Sequence, residues 1–361
     1  MPEAIALLGT TMISSYLNAV IKARSRLRRI DCAPIAGTRD EIRMFIIVRN
    51  EGLRLPFMLD YYRRLGVDRI FAVENNSTDD TLSILLAQER THVFQTCDDY
   101  SGHWAWMEYL LETHGRGHWC LVVDADEILI YPRWEDISIR DLCRFLDLEG
   151  STALCCLLLD LYSAEPFDQL RYRPGDDPLE MRWYYDPDSH RKVEFRVPNP
   201  KTGQEFCCEA CLGGVRYRVL GASPALTKVP LVRWGRGTYL IQGMHAADNV
   251  AFSPVEGAVL HFKFLQDFVP RVLYEADRGQ HWNEAHEYRI MARGLAGGGV
   301  SSFHSPHSQL FAGPEQLTAA GLMRDSPDLR DYARHLENDP AGVSGVNRPS
   351  PLRTCRTAGE R

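Results

Sequence analysis

Asp124, Asp126 and Glu127 sit together in the stretch Leu121-Val122-Val123-Asp124-Ala125-Asp126-Glu127-Ile128-Leu129-Ile130, with apolar residues on both sides. On an extended segment, side chains two apart project to the same face, so Asp124 and Asp126 could converge on one hard cation. Mg²⁺ or Mn²⁺ takes one or two protein carboxylates and completes its shell with water and phosphate oxygens. The two Asp therefore read as a clamp for a metal and a diphosphate. The plain alternative is a solvated loop tip. The apolar run leading in weighs against that, because it would bury the carboxylates near a sheet edge unless they were paired or metal-bound.

Such carboxylates need a rigid edge to stand on, and the chain before them carries alternating strand and helix signals. The apolar, β-branched run at 44–48 reads as a buried strand, broken by Arg49-Asn50-Glu51-Gly52. Leu55, Met58, Leu59, Tyr62 and Leu65 then recur at helical spacing as far as Gly66. A second strand at 69–73 leads to Glu74-Asn75-Asn76, after which Ser77 or Thr78 would cap a helix carrying Leu82, Ile84, Leu85 and Leu86. A short strand at 92–95 and a helix from about 103 to 114 follow. This order implies a mostly parallel, right-handed α/β sheet, in which ligands bind at the carboxyl ends of the strands. The breaks at Asn50, Asn75 and Asp124 share that edge. The second half suggests strands at 153–161, 230–234, 239–243 and 259–264, a polar, aromatic and Pro-rich excursion at 171–199, and helix from 268 to about 293.

A chain of 361 residues accommodates one sizeable α/β domain with appendages, or two small domains. The net charge of −7 argues against a nucleic-acid binder, which would present a dominant basic surface. Cys120, Cys143, Cys155 and Cys156 lie in apolar runs, as buried reduced thiols of a cytoplasmic protein would. Cys207, Cys208 and Cys211 lack the second ligand pair that a zinc site needs. No segment approaches the roughly 18 apolar residues of a spanning helix. The basic cluster Lys22, Arg24, Arg26, Arg28 and Arg29 follows the N-terminal apolar stretch, the reverse of a signal peptide. Residues 4–30 instead suit an amphipathic helix with a cationic end, packed on the protein body or lying on an anionic membrane surface. The expected divisions are an N-terminal extension at 1–40, an α/β domain at 41–267, a helical region at 268–337 and a disordered tail at 338–361.

Arg49-Asn50-Glu51, Asn75-Asn76-Ser77-Thr78-Asp79, Asp124 to Glu127 and His261-Phe262-Lys263 occur in that order over about residues 41–290. This succession resembles a bacterial branch of the family 2 glycosyltransferases of the GT-A fold. The resemblance implies an α/β fold with a mostly parallel central sheet flanked by helices, here with an N-terminal helical extension and a helical C-terminal region. It implies transfer of a sugar from a nucleotide-diphosphate donor to an acceptor hydroxyl, with Mn²⁺ or Mg²⁺ held by Asp124 and Asp126. It places Arg49, Asn50 and Glu51 at the nucleoside, with Asn75 nearby, and makes a late His a further metal ligand. His245 and His261 are the candidates, and either could instead be a satisfied core residue. Lys263, beside His261, could meet the phosphates. One departure stands out: the family commonly carries two Asp where this chain has Glu74-Asn75, so donor base and sugar are not transferred.

Arg216 and Arg218, in Gly213-Gly214-Val215-Arg216-Tyr217-Arg218, could grip the diphosphate, or could be exposed residues of a turn and strand. Lys228 is a weaker version of the same idea. An inverting transfer needs a carboxylate to take the acceptor proton. Asp160 is the first candidate, with Glu209 and Glu256 as alternatives, and Asp160 could equally cap the turn before Tyr162. Trp104, Trp106, Trp183, Tyr184 and Tyr185 could stack on sugar or base, or simply pack. The expected function is a metal-dependent, inverting glycosyltransferase of polysaccharide or glycolipid synthesis, acting on a glycan or glycolipid acceptor. It would be cytoplasmic, with residues 4–30 packed on the protein body in preference to the alternative, peripheral contact at the inner membrane face. A nucleotidyltransferase is disfavoured, because no Gly-rich, basic loop follows the first strand to cradle a triphosphate. A non-catalytic nucleotide- or carbohydrate-binding protein on a degenerate scaffold is left open by Glu74-Asn75.

Overall fold

The computed structural model describes residues 2–338, apart from 36, 39 and 189. Among the described residues nine strands form one sheet: Arg28–Arg29 (β1), Ile42–Val48 (β2), Arg69–Glu74 (β3), Thr91–Gln95 (β4), Trp119–Val122 (β5), Glu127–Ile130 (β6), Ala153–Asp160 (β7), Thr227–Arg233 (β8) and Phe252–His261 (β9). Their spatial order is β1-β4-β3-β2-β5-β8-β7-β9-β6. Strands β2, β3, β4, β5, β7 and β9 run one way, while β1, β6 and β8 oppose them. The expected α/β architecture, with a large, mostly parallel central sheet flanked by helices, is what the chain adopts.

Side-chain alternation splits the core across the two faces. Ile42, Met44, Ile46 and Val48 of β2 face the helices Leu55–Leu65 (α2), Thr81–Leu86 (α3) and Ile139–Glu149 (α5). Phe45 points the other way, into a core shared with Pro2–Arg26 (α1) and His103–Leu110 (α4). Pro56 opens α2, and Gly66 closes it in the left-handed region, at φ 116°. A third apolar cluster joins Val215–Leu220 (α6), Phe268–Arg278 (α7) and Trp282–Ala296 (α8) around Phe264, Phe268 and Phe303.

One connection shapes the site. Val122 ends β5 and Glu127 begins β6, yet these strands stand fifth and ninth in the sheet. Five Cα steps reach about 18 Å at most, whereas four flat inter-strand spacings total about 19 Å, so the sheet curls toward itself at this end. The strand leading into the acidic residues ends before Asp124, as expected, and the apolar run after them is a separate strand beyond the turn.

Other boundaries moved for physical reasons. The helix expected to reach 114 keeps α-helical bonding only to Leu110 and widens into a π turn over Leu111–Gly115. The polar excursion holds a ten-residue strand, His190–Asn199, paired with Gln204–Gly213 in a hairpin. The strand expected at 259–264 spans Phe252–His261, the one at 239–243 shrinks to Tyr239–Leu240, and the helix from 268 breaks after Arg278 at Gly279, φ 68°. Apart from the backbone of Asn338, the expected tail lies outside the described residues.

Helix α1 packs on α4, where the Tyr16 hydroxyl donates to Glu108 at 2.7 Å and its ring stacks on Trp104. Leu17 and Ile21 remain exposed, at 50% and 64%. Arg28 pairs with Gln95 at the carboxyl end of β4, so the basic end of α1 lies at that sheet edge. Among the described residues, no helix is long and apolar enough to cross a membrane.

Candidate functional site

The carboxyl ends of the parallel strands gather the expected turns, and two asparagines lace them together. Asn50 leaves β2 in the left-handed conformation, φ 53°, which Asn tolerates better than most residues. Its Oδ1 accepts the Thr78 N–H at 2.8 Å, and its own N–H donates to Ser77 Oγ at 3.1 Å. Asn75, fully buried after β3, donates Nδ2 to the carbonyls of Thr96 and Asp98 at 3.2 and 3.0 Å. The first turn is thus tied to the second, and the second to the loop after β4. Glu74 accepts from the Ser77 N–H and from Gln95 Nε2, so the Glu-Asn pair braces these turns.

The acidic turn meets this edge through a chain of alternating charges. Asp126 Oδ2 lies 3.3 Å from Nε2 of His261, whose Nδ1 donates to Asp160 Oδ1 at 2.6 Å. Asp160 Oδ2 accepts from Arg216 Nε at 2.8 Å, and Arg216 Nη1 donates to Glu287 at 2.7 Å. The register makes this possible, since His261 ends β9 directly beside Asp160 at the end of β7. Arg216 reaches in from α6, which begins after Gly214 at φ 71°; a Cβ there would stand 3.2 Å from Leu226.

Electrostatics follows this geometry. Burial alone would raise Asp126 and Asp160, but their cationic neighbours outweigh it. His261, Lys263 and Arg54 hold Asp126 well below the carboxylate range, and Arg216 with His261 holds Asp160 at about 2. Burial works against a charge on His261, yet the two carboxylates raise its pKa. Burial and the neighbouring Lys228 push His245 down to about 3, and its Nδ1 lies 2.9 Å from the Thr227 carbonyl.

No protein-family model matches the chain, and no curated protein does. Among solved structures the chain is similar to the mannosyltransferase PcManGT from Pyrobaculum calidifontis in complex with GDP-Man and Mn2+, at 17% identity and a TM-score of 0.27. The match covers 43% of this chain and 47% of that one, about half of its length. A likeness of this size does not establish a shared fold.

Among the described residues, no group of three or more His, Cys, Asp and Glu converges as a ready-made metal cage. Two carboxylates open toward substrate suffice for Mg²⁺ or Mn²⁺, however, when phosphates complete the shell. Asp124 and Asp126 could serve in that way: their charged contacts engage Oδ2 of each, with Asp124 half-exposed and Asp126 mostly buried. His261, with both ring nitrogens against carboxylates, is a bridge in this arrangement. His245 is the imidazole of the two that burial keeps neutral, the form that can ligate a metal.

The remaining expected residues divide clearly. Glu51 is tied to Arg271, whose Nη1 donates to Oε2 at 3.1 Å, and its backbone N–H donates to Thr81 Oγ1. Arg49 donates to the Asn75 carbonyl at 3.0 Å, and Lys263 donates to the Tyr288 hydroxyl at 2.9 Å. Arg218 donates to Asp186 and to the Phe303 carbonyl, a brace outside the charge chain. Glu209 pairs with Lys192 on the hairpin. Glu256 pairs with Arg324, and lies five residues, about 17 Å, back along β9 from His261. Trp106, Trp183 and Tyr185 are core residues, Trp104 lies against α1, and Tyr184 pairs its backbone with Tyr162. Sequence reasoning missed Glu287 entirely and ranked Lys228 low. Lys228 Nζ lies 2.7 Å from Glu127 and 3.3 Å from Asp124, contacts that only the antiparallel course of β8 creates.

Proposed function

We propose that this chain is a metal-dependent glycosyltransferase, moving a sugar from a nucleotide-diphosphate donor to an acceptor hydroxyl with inversion. The observation that supports it most is the charge chain from Asp126 through His261 and Asp160 to Arg216, which anchors the acidic turn at the ligand-binding edge of the sheet. Three buried polar atoms at the same edge have no partner among the described residues: Arg49 Nε, Asn75 Oδ1 and Arg216 Nη2. Orphaned buried groups call for an explanation, and a polar ligand such as a nucleoside diphosphate supplies one.

In this reading Asp124 and Asp126 hold Mn²⁺ or Mg²⁺, with His245 as the nearby neutral imidazole. The cation would stabilise negative charge on the leaving diphosphate. Arg49, Asn50 and Asn75 shape the nucleoside side, with Glu51 fixing the turn through Arg271. Lys263 and Arg216 add positive charge for the phosphates, while Arg218 braces α6. Of the three carboxylates expected as base, only Asp160 lies in the site, and an acid held at about 2 is a poor proton acceptor. Asp160 is a positioning residue here. Glu287, half-buried at the far end of the charge chain, is assigned the acceptor proton.

The exposed Leu17 and Ile21, next to Lys22, Arg24 and Arg26, suit peripheral contact with an anionic membrane carrying a glycolipid acceptor. The experiment that tests the whole reading is calorimetric binding of a panel of nucleoside diphosphates, with Mn²⁺ and with chelator. Metal-dependent binding of one of them supports a transferase and names the donor class. A folded protein that binds none points to the non-catalytic scaffold.

A further inference from the structure

Lys228 is 2% exposed, and its ammonium faces the acidic turn. Two carboxylates share it unequally. Glu127, itself buried, meets Nζ at 2.7 Å through Oε1, while its Oε2 accepts the Asp124 N–H at 3.1 Å. Glu127 therefore pins both the backbone of the turn and the lysine. Asp124 Oδ2 is the second, longer contact, at 3.3 Å. This carboxylate is also the exposed arm of the proposed metal clamp. A buried ammonium and a dication seeking the same Oδ2 repel each other more strongly here than in water, because the surroundings are partly dry.

We infer that Lys228 is a built-in rival of the divalent cation for Asp124, so that the donor-free protein takes the metal weakly and gains it together with the diphosphate. This rests on the glycosyltransferase reading above. The physical logic is one of local charge. With Lys228 in place, a dication arriving alone must displace or sit beside a fixed positive charge, whereas one arriving on a diphosphate brings its own compensation. The lysine in turn has a ready partner in the diphosphate oxygens once Asp124 is engaged by metal.

The test is Mn²⁺ binding to the full chain, read by electron paramagnetic resonance, first with Mn²⁺ alone and then with a panel of nucleoside diphosphates. Removing both members of the buried pair, Lys228→Met with Glu127→Gln, avoids leaving an unpaired buried charge. That double variant is expected to bind Mn²⁺ alone at least tenfold more tightly than the native chain. Glu127→Gln by itself leaves Lys228 with Asp124 as its carboxylate, and is expected to bind Mn²⁺ alone no more tightly than the native chain. A folded double variant with native-like Mn²⁺ affinity, alongside intact nucleotide-dependent binding in the native chain, overturns the inference and spares the transferase reading. Absence of Mn²⁺ binding in every protein, with and without every nucleotide, overturns both.

Discussion

His261 stands between two carboxylates, with Nδ1 2.6 Å from Asp160 and Nε2 3.3 Å from Asp126. The residue that ends one parallel strand is thereby bonded to the residue that ends its neighbour and to the acidic turn. Asp126 comes from a turn, whereas the imidazole stands at the end of a strand. Its orientation is set by the register of the sheet.

Asp126→Asn should weaken metal-dependent nucleotide binding at least tenfold, because it removes one charged arm of the clamp. Unlike a solvent-edge carboxylate, Asp126 is largely buried against His261, so a lower melting temperature should accompany the loss. Titration calorimetry showing unchanged nucleotide affinity in Mn²⁺ would remove Asp126 from the site.

The raised pKa of His261 fixes the sign of one pH dependence. Stability from its two carboxylate contacts is fully present below the unfolded value, near 6.5, and is lost as pH rises through the higher folded value. The melting temperature of the native chain should therefore fall over that range more steeply than that of His261→Gln. Parallel curves for the two proteins would mean that folding leaves the affinity of this imidazole for a proton unchanged.

Asp160 acts at the other end of the scale. Its folded value of about 2 lies below the unfolded one, so its contribution is present above roughly pH 4 and lost as pH falls through 2. The shift corresponds to about 2 kcal/mol at neutral pH. Asp160→Asn should cost stability of that order at pH 7 and little at pH 2, measured by denaturant unfolding at both.

Glu287→Gln should lower kcat by about a hundredfold while leaving nucleotide affinity within twofold, the pattern of a lost general base. A fall in nucleotide affinity with kcat retained would instead make Glu287 a support for Arg216.

The core strands were legible because they are fully buried. Ile42–Val48 and Arg69–Glu74 show as apolar runs whatever the rest of the chain does, and the turns after them fell where Asn50 and Asn75 suggested. The hairpin over residues 190–213 was not legible, since its strands alternate exposed charge with half-buried residues and Pro198 interrupts the pattern. Lys228 and Arg216 were singled out in the sequence, but their carboxylate partners were not, for a different reason. Each owes its place to topology: Lys228 to a strand running against its neighbours, Arg216 to a helix that only Gly214 lets start beside Asp160. Spacing along the chain says nothing about a partner that long-range pairing supplies.

Lys22→Glu with Arg24→Glu should abolish co-sedimentation with vesicles rich in phosphatidylglycerol, and neither protein should bind vesicles of phosphatidylcholine alone. Both cations are exposed on α1, so the fold should survive the exchange. Equal binding of native and variant chains to the anionic vesicles would exclude this surface as the membrane contact.

The curl that brings Glu127–Ile130 to the far edge of the sheet also dictates when the site can form. That strand pairs with Ala258–His261, about 130 residues later in the chain. Until β9 is made, Ile128, Leu129 and Ile130 present an unpaired apolar edge, the kind that recruits other chains. Any fragment ending before Phe252 should therefore aggregate rather than yield a partial fold, and newly made chains should depend on chaperones until the last strand has been inserted.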